Sequence, residues 1–189
     1  MKKVLIVGNF WLVSTIIILQ RMIEELWYNQ DLVTQFAPGI TKNYDLIILT
    51  GWSLYWARNP IFDILKSWIK QTNKPIAGIC LWYEVLATSY DTDENYIWMK
   101  KIWEIHGNYY PIVYGWQEYA VFRAHKRIVI ENESIYDYFD VLGRSELWID
   151  IIKDTNRPHY GLSFHPELDS KWQATSWSWD FEGYFRSYF

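Results

Sequence analysis

Three short apolar runs, at residues 3–7, 44–50 and 75–79, constrain this chain more than any other feature. Each is too short for a buried helix, and each is closed by Gly8, Gly51 or Cys80. Continuous rather than alternating apolar character means burial on both faces. Strands reach that state in a parallel sheet covered by helices. Helical patterns lie between the runs. Ile16, Leu19, Ile23 and Leu26 recur at spacings of three and four within a stretch of about residues 14–27. Asn59 suits a helix cap and Pro60 a first helical position. Beyond them Ile61, Ile64, Leu65, Trp68 and Ile69 form one apolar face. Residues 81–87 have helical character directly after Cys80. Strand alternating with helix predicts an α/β fold around a mostly parallel central sheet, helices on both sides.

The second half is less regular. Residues 109–114 and 120–122 read as strands, antiparallel additions to that sheet, and 160–164 as a strand leading into His165-Pro166-Glu167. There is no repeat, low-complexity segment or linker. With 189 residues, half of them hydrophobic, a single domain over residues 1–189 is expected.

A net charge of -4 and the lack of a basic stripe argue against nucleic acid as a main partner. One cysteine excludes an internal disulfide and a multi-cysteine zinc site, which suits the cytoplasm. Lys2 and Lys3 before an apolar stretch mimic a signal peptide. Gly8 and Asn9 interrupt that stretch, and Gln20-Arg21-Met22 offers no small-x-small cleavage site. It is also too short and too broken to cross a membrane. His106, His125 and His159 lack the spacing of a metal site. Asp91-Thr92-Asp93-Glu94 lacks the glycine and terminal glutamate of a calcium hand. Gly8-Asn9 is not followed by the Gly-Lys-Ser/Thr of a phosphate loop. No metal and no cofactor are expected. Aromatic residues make up 20% of the chain, enough for an aromatic core or a partner surface. The tail at 172–189 is the candidate docking segment.

Chemistry concentrates at Gly78-Ile79-Cys80-Leu81, a strand-to-helix junction. A nucleophile on such a turn is lifted out of the sheet at its carboxyl end, where α/β proteins bind ligands. The following helix N-terminus lowers a thiol's pKa and aims backbone N–H groups at developing negative charge. Gly78 relieves crowding at the turn, and the thiol is expected to be accessible. Pro166 holds His165 extended, so His165 and Glu167 project to one side. Glu167 can then orient His165, and His165 can deprotonate Cys80.

The strings YDLIILTG (44–51), KPIAGICL (74–81) and YGLSFHPE (160–167) resemble the core and distal signature of class I glutamine amidotransferases. FDVLGRS (139–145) and the terminal FEGYFRSYF (181–189) stand where that family has comparable segments. The resemblance implies a flavodoxin-like or Rossmann-like three-layer α/β sandwich. It also implies that Cys80, His165 and Glu167 form a triad that hydrolyses the side-chain amide of glutamine through a thioester. The N–H groups of Leu81 and of the Gly51 region would form the oxyanion hole, worth ~3 kcal/mol per donor. Ammonia would pass to a separate synthetase, because this chain leaves no room for an ATP-dependent amination site.

Three positions depart from the family pattern. Trp82 replaces a glycine two residues after the nucleophile. Glu84 replaces the glutamine that contacts substrate, and Gly51-Trp52-Ser53-Leu54 replaces a Gly-Gly-Pro-Gly type loop. An indole next to the elbow predicts a narrowed or rebuilt glutamine pocket, and a carboxylate at 84 would repel a substrate carboxylate. On that reading, exchanging Trp82→Gly with Glu84→Gln raises kcat/KM on glutamine. The departures keep two other functions in view: a γ-glutamyl hydrolase-like amide hydrolase, and a catalytically impaired binding or regulatory protein.

Overall fold

The computed structural model describes residues 2–9, 13–25, 28–51, 55–101, 108–124, 126–146 and 148–168. Strand β1 (Lys3–Asn9) leads to helix α1 (Val13–Glu25), then to β2 (Asn29–Val33) and β3 (Leu46–Gly51). Helix α2 (Asp63–Gln71) follows a 3-10 turn at Pro60–Phe62, where the Asn59 side chain accepts the Ile61 N–H at 3.0 Å. Next come β4 (Ile76–Ile79) and α3 (Leu81–Ala87), with Cys80 alone between them. Then follow β5 (Met99–Lys101), β6 (Asn108–Tyr114), β7 (Gln117–Arg123) and β8 (Arg127–Val129). The short helix α4 (Glu133–Tyr136) precedes β9 (Phe139–Arg144), β10 (Ile149–Asp154) and β11 (His159–Leu162).

The strands form one sheet in the order β2-β1-β3-β4-β11-β10-β9-β6-β7, with β8 paired to β10 and β5 to β8. From β2 through β11 every neighbour is parallel, and from β11 outward every neighbour is antiparallel. The α/β class, the parallel centre and the antiparallel additions at 109–114 and 120–122 are therefore as the sequence implies. Side chains on β1 alternate between the two faces. Leu5 and Val7 join α2 and α3 in one core, while Val4 and Ile6 join α1 in the other. All four are fully buried, each worth about 1.5–3 kcal/mol over an exposed position.

One helical expectation needs correction. Leu65 and Ile69 are buried, but Ile61 is 57% exposed and Ile64 71%. Residues 60–62 form a 3-10 turn, whose tighter winding rotates Ile61 off the α2 stripe. Leu26, Trp27, Trp52, His106, His125 and the tail at 172–189 lie outside the described residues. Among the described residues, no helix is long and apolar enough to cross a membrane, and no cluster of His, Cys, Asp and Glu could hold a metal ion.

Candidate active site

The parallel pairing of β4 with β11 assembles the site. Leu162 lies beside Ile79 and its carbonyl accepts the Cys80 N–H at 2.9 Å. The turn beyond β11 therefore reaches the level of the elbow. On the other side β3 pairs with β4, Leu49 beside Gly78, which brings the end of β3 at Gly51 to the same height.

Cys80 has φ 56° and ψ −110°, and no other non-glycine described residue has positive φ. Such a conformation costs a side-chain-bearing residue on the order of 1–3 kcal/mol and persists only where surrounding structure enforces it. The enforcement is visible at Gly78. A Cβ there would stand 2.8 Å from the Trp82 carbonyl oxygen and 2.9 Å from its carbon, so the α3 backbone crosses directly over the glycine. The Cys80 thiol is 1% exposed, not open to solvent as the elbow position suggests, because it packs in the core with Ile79, Leu162 and Phe164.

His165 is fully buried and hydrogen-bonded with the Cys80 side chain. Its Nδ1 lies 3.0 Å from Glu167 Oε1, which fixes the ring as an Nδ1–H donor to that carboxylate. Backbone bonds hold the turn: the His165 N–H donates to the Phe122 carbonyl of β7 at 2.9 Å, and the Leu168 N–H donates to the His165 carbonyl at 3.1 Å. Burial pushes the imidazole pKa down. Cys80 and then Glu167 push it up, and together they prevail, raising it to about 10. A base raised above its ordinary value of 6.5 contributes stability that is complete below 6.5 and is lost as pH rises through about 10. Cys80→Ala removes the first upward influence. The His165 ring resonances of that variant should titrate well below about 10 in an NMR pH series, and an unshifted midpoint would break the thiol–imidazole coupling.

A buried network steadies the same turn. Arg123 Nη2 contacts Asp150 Oδ1 at 2.6 Å with both residues essentially unexposed. The Ser163 hydroxyl donates to the same oxygen at 2.6 Å, and the Ser163 N–H donates to the Asp150 carbonyl at 2.9 Å. Burial pushes the Asp150 carboxyl up and the Arg123 guanidinium down, and their contact opposes both shifts. Neither residue stands out in the sequence, because a charged residue in a strand gives no sign of a partner on another strand.

The remaining candidate residues separate. Leu81 opens α3 beside Cys80, and Gly51 closes β3 at the same level. Trp82 is 1% exposed and packs edge-on to Phe62, ring centroids 5.3 Å apart, in the core shared by α2 and α3. Its indole fills that core, so a narrowed glutamine pocket does not follow from it. Glu84 is 1% exposed, and its Oε2 accepts from Arg127 Nε at 2.8 Å. Burial raises the Glu84 carboxyl to about 7, with Arg127 pulling the other way. The expected repulsion of a substrate carboxylate is thus offset by a cation that sequence reading missed. His159, fully buried 3.6 Å from Asp154, sits in the framework at the start of β11. Asp91 pairs with Arg58 at 2.7 Å and accepts the Ile97 N–H, which orders the acidic turn without an ion.

Comparison with known proteins fits this geometry. One of the two components of a glutamine-hydrolyzing GMP synthase from Methanobrevibacter smithii is 30% identical over 129 residues. The match spans 59% of this chain and 66% of that relative, just short of two thirds of its length. The crystal structure of the corresponding GMP synthase component from Thermoplasma acidophilum superposes with a TM-score of 0.77. That superposition covers 100% of this chain and 96% of the other at 19% identity, a likeness of fold alone. Residues 9–181 match the profile of the family described as Glutamine amidotransferase class-I, and the chain belongs to that family.

Proposed function

We propose that this protein hydrolyses the side-chain amide of glutamine at Cys80 and supplies the ammonia to a separate synthetase. The observation that carries the reading is the strained Cys80 elbow, with His165 hydrogen-bonded to its side chain and Glu167 behind His165. The thiolate sulfur attacks the amide carbon, and the oxygen's negative charge falls to the N–H groups of Leu81 and the Gly51 region. Collapse breaks the C–N bond as the imidazolium of His165 protonates the departing nitrogen, leaving a thioester and ammonia. Water, deprotonated by His165, then releases glutamate and restores the thiol. Glu167 keeps the ring in the tautomer both halves need.

A buried thiol fits a site completed by a partner, so turnover by the chain alone is low and rises when a synthetase docks. The relative named as part of a GMP synthase supports a partner of the nucleotide-aminating kind. Incubation with a glutamine-analogue electrophile should add one inhibitor mass, mapped to Cys80 by peptide analysis. Glutamine should yield glutamate and ammonia in equal amounts. No adduct at Cys80, together with no glutamate formed, would sink the reading.

A further inference from the structure

We propose that Arg127 is a positioning residue for the amidase site, tying the segment after β3 to the nucleophile helix. The inference rests on the amidase reading for its catalytic consequence and on geometry alone for the tie. Three contacts converge on one guanidinium. Nε donates to Glu84 Oε2 at 2.8 Å, Nη2 donates to the Tyr55 carbonyl oxygen, and the group lies 5.4 Å from the centre of the Trp56 ring. Glu84 is one helical turn beyond the nucleophile, its N–H donating to the Cys80 carbonyl at 3.3 Å. Tyr55 and Trp56 stand a few residues beyond Gly51, on the segment to which the amidase reading gives the second oxyanion donor. Arg127 comes from neither element but from β8, and only 10% of its side chain is exposed.

The need for such a tie follows from the sequence. A Gly-Gly-Pro-Gly type turn limits its own backbone, whereas Gly51-Trp52-Ser53-Leu54 contains no proline and one glycine. A donor that must sit within a few tenths of an ångström of the developing oxyanion then requires support from outside the loop. An arginine can supply it because its planar fork offers donors in two directions while its face meets an aromatic ring. A lysine, a point charge, can satisfy only part of that set. Glu84 Oε1 is buried without a hydrogen-bond partner among the described residues. Arg127 is therefore the ionic neighbour that holds this carboxylate. On this account Glu84 acts through Arg127 instead of touching substrate.

The test compares wild type with Arg127→Lys and Trp56→Leu, the second changing a 40% exposed side chain that folding does not require. Four quantities are read: kcat and KM for glutamine, the second-order rate of Cys80 alkylation by iodoacetamide, and amide exchange across residues 51–57. Alkylation is a displacement with no oxyanion, so it reports the thiol and not the donors. Both variants should exchange faster across 51–57. Arg127→Lys should lose roughly 10–100-fold in kcat, the scale of a slightly misplaced reacting group, with KM and alkylation within about threefold of wild type. Unchanged exchange in both variants would overturn the tie whatever the kinetics. Loss of kcat and alkylation together would also overturn it, since the thiol itself would then have been disturbed. A wild type that turns over no glutamine, with exchange still faster in the variants, would refute the amidase reading and leave the tie standing.

Discussion

Cys80→Ser should abolish glutamine hydrolysis, lowering kcat by at least ~10⁴-fold while leaving the thermal midpoint within a few degrees of wild type. A serine hydroxyl is close in size and keeps the backbone strain, so little in the packing changes. What changes is the nucleophile: the imidazole sits beside a hydroxyl, which it cannot deprotonate as it does a thiol. Removing the nucleophile of a catalytic triad costs about as much as removing the whole set, because the members act as one unit. Residual rates reflect substrate binding and the oxyanion donors alone. Steady-state glutamate release, with dialysed protein and an assay floor of ~10⁻⁵ of the wild-type rate, decides the point. A variant retaining a tenth of the activity would place the chemistry elsewhere and remove the role assigned to Cys80.

The second large effect falls on stability. Asp150→Ala should cost about 3–5 kcal/mol, because it leaves the Arg123 guanidinium buried and without its counter-ion. The rings of Trp148 and Tyr110, 4.9 Å and 5.3 Å from that guanidinium, offer only partial compensation. Ser163 loses its acceptor in the same step. Arg123→Met with Asp150→Leu should recover most of the loss, since an apolar pair of similar volume has no charge to desolvate. Urea midpoints of the single and double variants measure both numbers. A single variant that loses under about 1 kcal/mol, or a double variant no better than the single, would mean that the pair does not hold this part of the sheet together.

Much of this architecture is legible in the residues. The runs at 3–7, 44–50 and 75–79 correspond to β1, β3 and β4 because strands buried on both faces admit few polar positions. Cys80, His165 and Glu167 can be related because local rules suffice for each. A glycine two residues earlier and a helix afterwards mark the elbow, and a proline sets the direction of the histidine. Strands β2, β9 and β10 are harder. Asn29–Val33 and Phe139–Arg144 mix exposed and buried positions at sheet neighbours that only the three-dimensional order supplies. Trp82 and Glu84 stand out in the sequence, but what they do there cannot be read from it. A residue two after an elbow can turn toward the substrate or toward the core, and the choice depends on Phe62, twenty residues away. The charge at 84 depends likewise on Arg127 from another strand.

The register between β4 and β11 also bears on how the molecule is made. His159 lies beside Ile76 and Leu162 beside Ile79, partners about eighty positions apart along the chain. Closing so long a loop has an entropic cost that only later contacts repay, so such a pairing forms late in folding. Strands β1, β3 and β4 can associate as soon as about the first eighty residues have left the ribosome. At that stage β4 is an open edge ending in a bare thiol, with no histidine near it. The antiparallel half must then fold outward from β11, and the nucleophile meets its base only as that half docks. A nascent chain is thus chemically silent until its last described strand is in place, and the edge of β4 is the surface that premature association would use.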